Sequence, residues 1–447
     1  MDAGASVEPG WRGCHGQTLL GAAACSDSGK MVRAVLGAGG TDDIDTLFGA
    51  KRESALHVAA VRGAEDSCMA LMVAGADPDL RDRGGCSPLH VAAKAGHHRV
   101  VGMLLLKGAQ SDAKTASQET PLHLAASQGH APCISELLLG GADKDVDDGS
   151  GKTPLFKAVE NNRLRAVETL LAAGANRDRA NNEWSTPLEE AANIGHATIV
   201  RAFLRAGSEV NASDYQGHTA LHSATAIEGP VQDNGEAVGV LLGAGAYVDA
   251  EATGDGRYTP LHVAVDRRIA SIGTTRAVLE GGANVNARDD YNHTPLHMAC
   301  SWSSVAAVEL LLLWGADEKL TADYGVTPAD TIGTSFVDGN SNEETQADRQ
   351  RVRQMLVRAP ADRSWRRYGW LALSRAYPTR VQIANGSRGS ISSSNGCSAK
   401  VARVNGEDSC RDDDETEDQM VVEWRDLVGR VVGLEVDGLF RLVVSFL

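Results

Sequence analysis

Residues 291–300 read YNHTPLHMAC. His297 stands behind a threonine and a proline, and Cys300 follows three places on. Taken alone, the cluster suits a metal ligand pair, an activated nucleophile or the start of a helix. Its recurrence decides between these. Ser87-Pro88-Leu89-His90, Thr120-Pro121-Leu122-His123, Thr153-Pro154-Leu155-Phe156 and Thr186-Pro187-Leu188-Glu189 come before it. So do Thr219-Ala220-Leu221-His222 and Thr259-Pro260-Leu261-His262, and Thr327-Pro328-Ala329-Asp330 follows. Weaker copies open at Thr18 and Ser54. Successive first positions are 36, 33, 33, 33, 33, 33, 40, 35 and 33 residues apart.

Each copy reads as a helix–turn–helix unit. The Ser or Thr hydroxyl can cap the orphan N–H groups of a helix start, and proline follows at the first helical position, where its missing donor is harmless. In the third unit LHVAAKAGHH gives a short helix and RVVGMLLLKG a second with an apolar stripe. Gly75, Gly108, Gly141, Gly174, Gly207, Gly245, Gly282 and Gly315 end the second helices, where the chain needs a positive φ. A polar arm such as ADPDLRDRGG leads onward, with Gly85, Gly151, Gly217, Gly325 or Asn292 two residues before the next Ser or Thr. Neither helix can bury its stripe alone, so stacked neighbours must complete the core and polar ends must close it. A 33-residue period carrying T-P-L-H-x-A resembles the ankyrin repeat. About ten such units span roughly three quarters of the chain. The resemblance implies an all-α solenoid with hairpin arms, and recognition of other proteins through arm tips and the concave helix face.

The boundaries expected are an N-terminal tail at 1–15, the array at 16–358, an amphipathic segment at 359–385, a Gly/Ser-rich and acidic linker at 386–418, and an apolar C-terminal helical element at 419–447. The last unit reads as a cap: Thr327 to Ile332, a polar insertion through about Gln346, then ADRQRVRQMLVRA as its second helix. Insertions fall near AIEGPVQDNGE, in the arm YVDAEATGDGRY and near RRIASIG, making one irregular zone; binding faces often carry such insertions, and tolerated loop drift accounts for them equally well.

Beyond the array, arginines interleave with Trp365, Tyr368 and Trp370, and VVEWRDLVGRVVGL puts Val421, Trp424, Leu427, Val428, Val431 and Val432 on one helical face. The pair WRRYGWLALSRAYPTR and VVGLEVDGLFRLVVSFL resembles the tail of a group of algal ankyrin-repeat proteins of unknown function. WLALSRA and the terminal LVVSFL are loosely similar to a SOCS box, which recruits ubiquitin-ligase components. They lack its Leu-Cys pair and Pro-rich stretch.

A net charge of -16 argues against nucleic acid as the main partner, because phosphate binding needs a basic footprint. The 8 cysteines form no CxxC pair, which suits a reducing compartment. The opening residues show no signal-peptide pattern, and no apolar run approaches a membrane span. The expected setting is intracellular, cytoplasmic or nuclear. Repeat-equivalent histidines lie about one repeat apart, roughly 10 Å, too far to share a metal ion. They are expected to hydrogen-bond between adjacent turns, and Cys300 to sit in packed core. Vicinal His97 and His98, with His130 and His196, read as turn structure.

No phosphate loop, HExxH or nucleophile elbow appears, so no catalytic residue, cofactor or metal is assigned and no enzymatic activity is expected. What remains is recognition. Arm-tip candidates for partner contact are Arg83, Lys114, Asp147, Asp148, Asn182, Trp184, Tyr215, Asp255, Tyr291 and Tyr324, with Trp302 between two helices. Trp184 and the tyrosines are the bulky, amphipathic type that dominates binding hot spots. The function expected is a protein–protein scaffold or adaptor. The alternative is a ubiquitin-ligase substrate receptor that recruits ligase components through its tail.

Overall fold

The computed structural model describes residues 18–25, 28–38, 44–226, 234–254, 256–266, 271–334 and 343–359. The tail at 1–15, the insertions at 227–233 and 267–270, Asp255 and all residues after 359 lie outside them.

Helices come in pairs along the chain: α1 (Leu19–Ala24) with α2 (Gly29–Gly37), α3 (Ala55–Arg62) with α4 (Glu65–Val73), and α5 (Pro88–Ala95) with α6 (His98–Leu106). Next are α7 (Pro121–Gln128) with α8 (Ala131–Leu139), α9 (Pro154–Glu160) with α10 (Leu164–Ala172), and α11 (Pro187–Ile194) with α12 (Ala197–Arg205). Then follow α13 (Ala220–Thr225) with α14 (Gly235–Gly243), α15 (Pro260–Val265) with α16 (Ile272–Glu280), and α17 (Pro295–Ser301) with α18 (Val305–Leu313). The last is α19 (Glu343–Arg358). Among the described residues there is no strand, only the isolated bridges Phe48–Glu53 and Ser213–Thr219. The fold is the expected all-α solenoid.

The paired helices run 6 to 9 residues, shorter than the roughly 12 to 15 at which a helix becomes even marginal in water. Packing therefore holds them. First helices stack on first helices and second on second, each unit touching its neighbours. The signature leucines Leu56, Leu89, Leu122, Leu155, Leu221, Leu261 and Leu296 are fully buried, and paired alanines such as Ala92–Ala93 and Ala125–Ala126 let adjacent helices approach closely. One continuous apolar core runs from Leu20 to Ala359. Cys300 is buried within it, and burial pushes its thiol up to about 12.

Start and stop signals act as read. Thr or Ser caps every first helix, and proline opens α5, α7, α9, α11, α15 and α17. The eight glycines after the second helices have φ between 74° and 96°. At Gly108, with φ 89°, a Cβ would meet no atom within 4 Å, so the requirement there is conformational and not spatial.

The last unit departs from expectation. Thr327 to Ile332 forms turns and no α-helix. Asp330 Oδ2 accepts from the Thr327 N–H at 2.9 Å and hydroxyl at 2.6 Å, and Gly333, with φ 71°, turns the chain away. The Thr331 hydroxyl donates to the His297 carbonyl at 3.0 Å and the Gly333 N–H to the Cys300 carbonyl at 3.2 Å, so this turn packs along α17.

Candidate partner-binding surface

The histidines do more than link turns. Ser54 N–H donates to His57 Nδ1 at 3.2 Å, while Ser54 Oγ accepts from the His57 N–H at 3.4 Å, a reciprocal cap in which imidazole replaces the usual carboxylate. Because Nδ1 accepts, the proton sits on Nε2, which faces the Cys86 carbonyl of the next unit at 2.9 Å. The same arrangement recurs for His90 to Glu119, His123 to Lys152, His222 to Tyr258, His262 to His293 and His297 to Val326, at 2.9 to 3.3 Å. Burial holds all six imidazoles below their ordinary value, His90 and His222 at about 4. They are neutral structural links. Ser54→Ala removes both the cap and its 2.9 Å contact with His57 Nδ1, and is expected to cost about 1 to 2 kcal/mol in urea denaturation.

His97 and His130 are inter-unit ties as well. Their Nε2 atoms reach the Val61 and Lys94 carbonyls at 3.0 and 3.2 Å, and Arg163 Nε reaches Ser127 at 3.1 Å in the same register.

Trp302 belongs to this series. It is half-buried, and its indole N–H donates to Asp266 Oδ1 of the preceding unit at 2.8 Å. That geometry favours its role as a packing element over that of an exposed anchor.

The arm candidates divide into two sets. Asp148 is enclosed: its Oδ1 accepts from the Ser150 and Lys152 N–H groups at 2.8 and 3.0 Å, and Lys157 Nζ lies 2.9 Å from Oδ2. Burial alone would raise its carboxyl; these donors and the ammonium hold it below the ordinary range. Asp147 pairs with Arg179. The Lys114 ammonium donates to the Asp147 carbonyl at 3.1 Å. Arg83 and Asn182 are exposed, but their backbone N–H groups bind Lys51 and Ser150 of the preceding arms at 2.8 and 3.2 Å.

The aromatic set faces outward. Trp184 is 66% exposed, Tyr215 72%, Tyr291 58%, and Tyr324 completely. Trp184 holds φ 64° at the position two before the cap, where Gly85, Gly151 and Gly217 stand in some arms and Gln118, Arg257 and Asn292 share the positive φ in others. Left-handed backbone costs a residue with a Cβ roughly 1 to 2 kcal/mol. An exposed indole recovers little of that by packing. Trp184→Gly is therefore expected to leave stability unchanged or raise it by up to about 1 kcal/mol in thermal melting, after the greater chain entropy of glycine is subtracted. A loss of stability would show that the indole packs in solution.

Two exposed features escaped the sequence reading. Tyr247 is exposed in the arm after α14. Val73, Leu106 and Leu139, each the last residue of α4, α6 and α8, are exposed at steps of 33 residues. That spacing was the available signal.

Comparison with known proteins bears on most of the array, from residue 19 to 322. A family model described as ankyrin repeats (3 copies) matches residues 19–115, 89–181 and 230–322, and one described as ankyrin repeat matches 184–215. The chain is similar to the ankyrin repeat and LEM domain-containing protein 1 homolog of Caenorhabditis elegans, 46% identical over 66 residues, 15% of this chain and 9% of that protein. It is similar to the E3 ubiquitin-protein ligase KEG of Arabidopsis thaliana, 37% identical over 108 residues, 24% of this chain and 6% of that one. The human ankyrin repeat and SOCS box protein 16 is 33% identical over 154 residues, 26% of this chain and 33% of that one. The chain thus spans a third or less of each of these relatives. No helix among the described residues is long and apolar enough to cross a membrane. With matched units from residue 19 to 322 and the helix pairs that fill them, this chain belongs to the ankyrin-repeat family.

Proposed function

We propose that this protein is a non-enzymatic scaffold or adaptor that binds a partner protein through its arm tips and the first-helix face. Ankyrin repeats imply protein–protein interaction. The observation that carries the finer reading is the exposure of the aromatic arm residues Trp184, Tyr215, Tyr291 and Tyr324, with Trp184 in a backbone conformation its side chain does not offset. The nine helix pairs among the described residues present these arms on a packed array, so a partner binds with little ordering of the receptor. Arg83, Lys114 and Asp147 in the earlier arms, and Asn182 in the arm of Trp184, would serve as secondary contacts. The setting proposed is cytoplasmic or nuclear.

A second reading is favoured by the matches to a SOCS-box protein and a ubiquitin ligase: the segment after 359 would recruit ligase components while the array holds the substrate. Affinity capture with the full chain and with a 1–358 truncation separates the two. Retention of all partners by the truncation supports the scaffold; selective loss of ligase components supports the receptor. Loss of every partner from both chains contradicts recognition by the array.

A further inference from the structure

Hydrogen-bonded rungs join successive arms along the array, in three series. In the first, a backbone N–H near each arm tip donates to a carbonyl about 32 residues earlier: Arg83 to Lys51 (2.8 Å), Ala116 to Gly84 (3.1 Å), Gly149 to Ser117 (3.3 Å) and Asn182 to Ser150 (3.2 Å). It resumes with Gly254 to Gln216 (2.9 Å), Asp290 to Gly256 (2.9 Å) and Asp323 to Tyr291 (3.0 Å). The second series joins an Asp or Asn side chain to the next arm's backbone. Asp79 accepts from Gln110 at 2.9 Å, Asp112 from Asp143 at 3.0 Å and Asp145 from Asn176 at 2.7 Å. Asn211 then accepts from Tyr247 at 2.8 Å, Asp249 from Asn284 and Asn286 from Asp317 at 2.9 Å. The third is the histidine link.

The histidine link is already missing where Phe156 fills its slot, but among the described residues all three series fail together at one junction, between the arms at 175–185 and 207–218. Among the described residues Tyr215 N–H has no partner at the Glu183 carbonyl, Asp178 receives nothing from Glu209, and Glu189 replaces the histidine that would reach His218. Ser208, standing where other units carry a buried alanine, is buried with an unpaired hydroxyl. The helices of the same two units stay joined. Asn234 Nδ2 donates to Asn193 at 2.9 Å, and Arg201 pairs with Glu236 at 3.0 Å. The result is a seam closed at its helical base and unbonded at its arm lips, and Trp184 and Tyr215 stand on those two lips.

We propose that this seam is the partner site, and that its occupant is an extended, basic polypeptide segment of another protein. The proposal rests on the recognition function above. An unpaired N–H on one lip and an unpaired C=O on the other are complemented by a polypeptide main chain, as when a strand adds to an open edge. Trp184 and Tyr215 offer faces for alternate side chains. Glu183 and Glu209 are exposed carboxylates with no cationic partner among the described residues, whereas Arg179 pairs with Asp147, and Arg177, whose guanidinium reaches toward Gly207 on the other lip, has its Nε 3.5 Å from Asp178. The free charge at the lips is negative, so the complementary side chains are Lys and Arg.

The test uses the full chain and a fluorescent dodecapeptide of alternating Arg and Val, with an alternately N-methylated copy and a Glu/Val copy. Anisotropy should show binding of the Arg peptide, at least tenfold weaker binding of the other two, and a similar loss in the Trp184→Gly/Tyr215→Ala variant. Hydrogen exchange should show Tyr215 faster than Ala116 or Gly149 in the free chain and slowed by the Arg peptide. Equal binding of the N-methylated copy, unchanged binding by the variant, no binding, or a Tyr215 amide as protected as Ala116 each overturns the seam site. If natural partners still depend on Trp184 and Tyr215 in that event, recognition at the arms survives and only the extended basic occupant is lost.

Discussion

Acidifying from pH 7 to pH 5 should lower the urea midpoint of the array steeply. The cause is the set of six buried imidazoles. Burial disfavours their charged form, and the cap N–H aimed at Nδ1 leaves no room for a second proton. His90 and His222 are held at about 4 against an ordinary value of 6.5, and His57, His123, His262 and His297 are shifted the same way. In the unfolded chain each takes up a proton below 6.5, so the unfolded state binds more protons throughout the window between 6.5 and about 4. Stability is then fully present above 6.5 and is lost as pH falls toward 4. At pH 5 the loss is about 2 kcal/mol for each of His90 and His222, on the scale of 1.36 kcal/mol per unit. Glu189 and Glu190 act in the opposite direction, since burial raises their carboxyls and favours protonation in the fold. Two such groups oppose the six links and His196, which burial lowers in the same way. Urea melts at pH 8, 6.5 and 5 in high salt, which screens the net charge, check the sign. A midpoint unchanged between pH 6.5 and 5 contradicts the neutral links.

Phe203→Ala should be the most damaging single core change near the seam. Phe203 is fully buried on α12, within the unit on the N-terminal side of the unbonded lips. Truncating a buried phenylalanine costs about 3 to 5 kcal/mol through lost transfer energy and the cavity left behind. In a solenoid each unit is held only by its neighbours, so a local loss of this size uncouples the two sides. The expected calorimetric trace splits into two transitions, the units before α11 melting apart from those after α14. A single transition shifted as a whole would show that the seam transmits cooperativity as well as the other junctions do.

Much of the fold was legible because local chemistry dictates it. Thr120 before Pro121 starts a helix because the run LHLAASQ that follows can sustain one, and Gly141 after LLLG stops one. The capping role of His57 was hidden because His at the third helical position is not an expected reciprocal cap. The tenth unit misled for a related reason: Thr327-Pro328 carries a start signal, but Gly333 ends the helix before it forms. Among the candidate contacts, exposure of Trp184 and the tyrosines follows from arm position, whereas the enclosure of Asp148 depends on Lys157 from α9 folding back on it. The seam was least legible. It is an absence of bonds between residues about 32 apart; Glu189 and Ser208 mark it in the sequence, but Phe156 departs from the same histidine slot where the arms stay joined.

Partner capture with the full chain and its Trp184→Gly/Tyr215→Ala variant, each with its melting temperature recorded, tests the central claim most directly. The account predicts that the variant melts no lower than the parent by more than a degree or two and loses the parent's partner proteins. The same partners recovered in the same yield would contradict it.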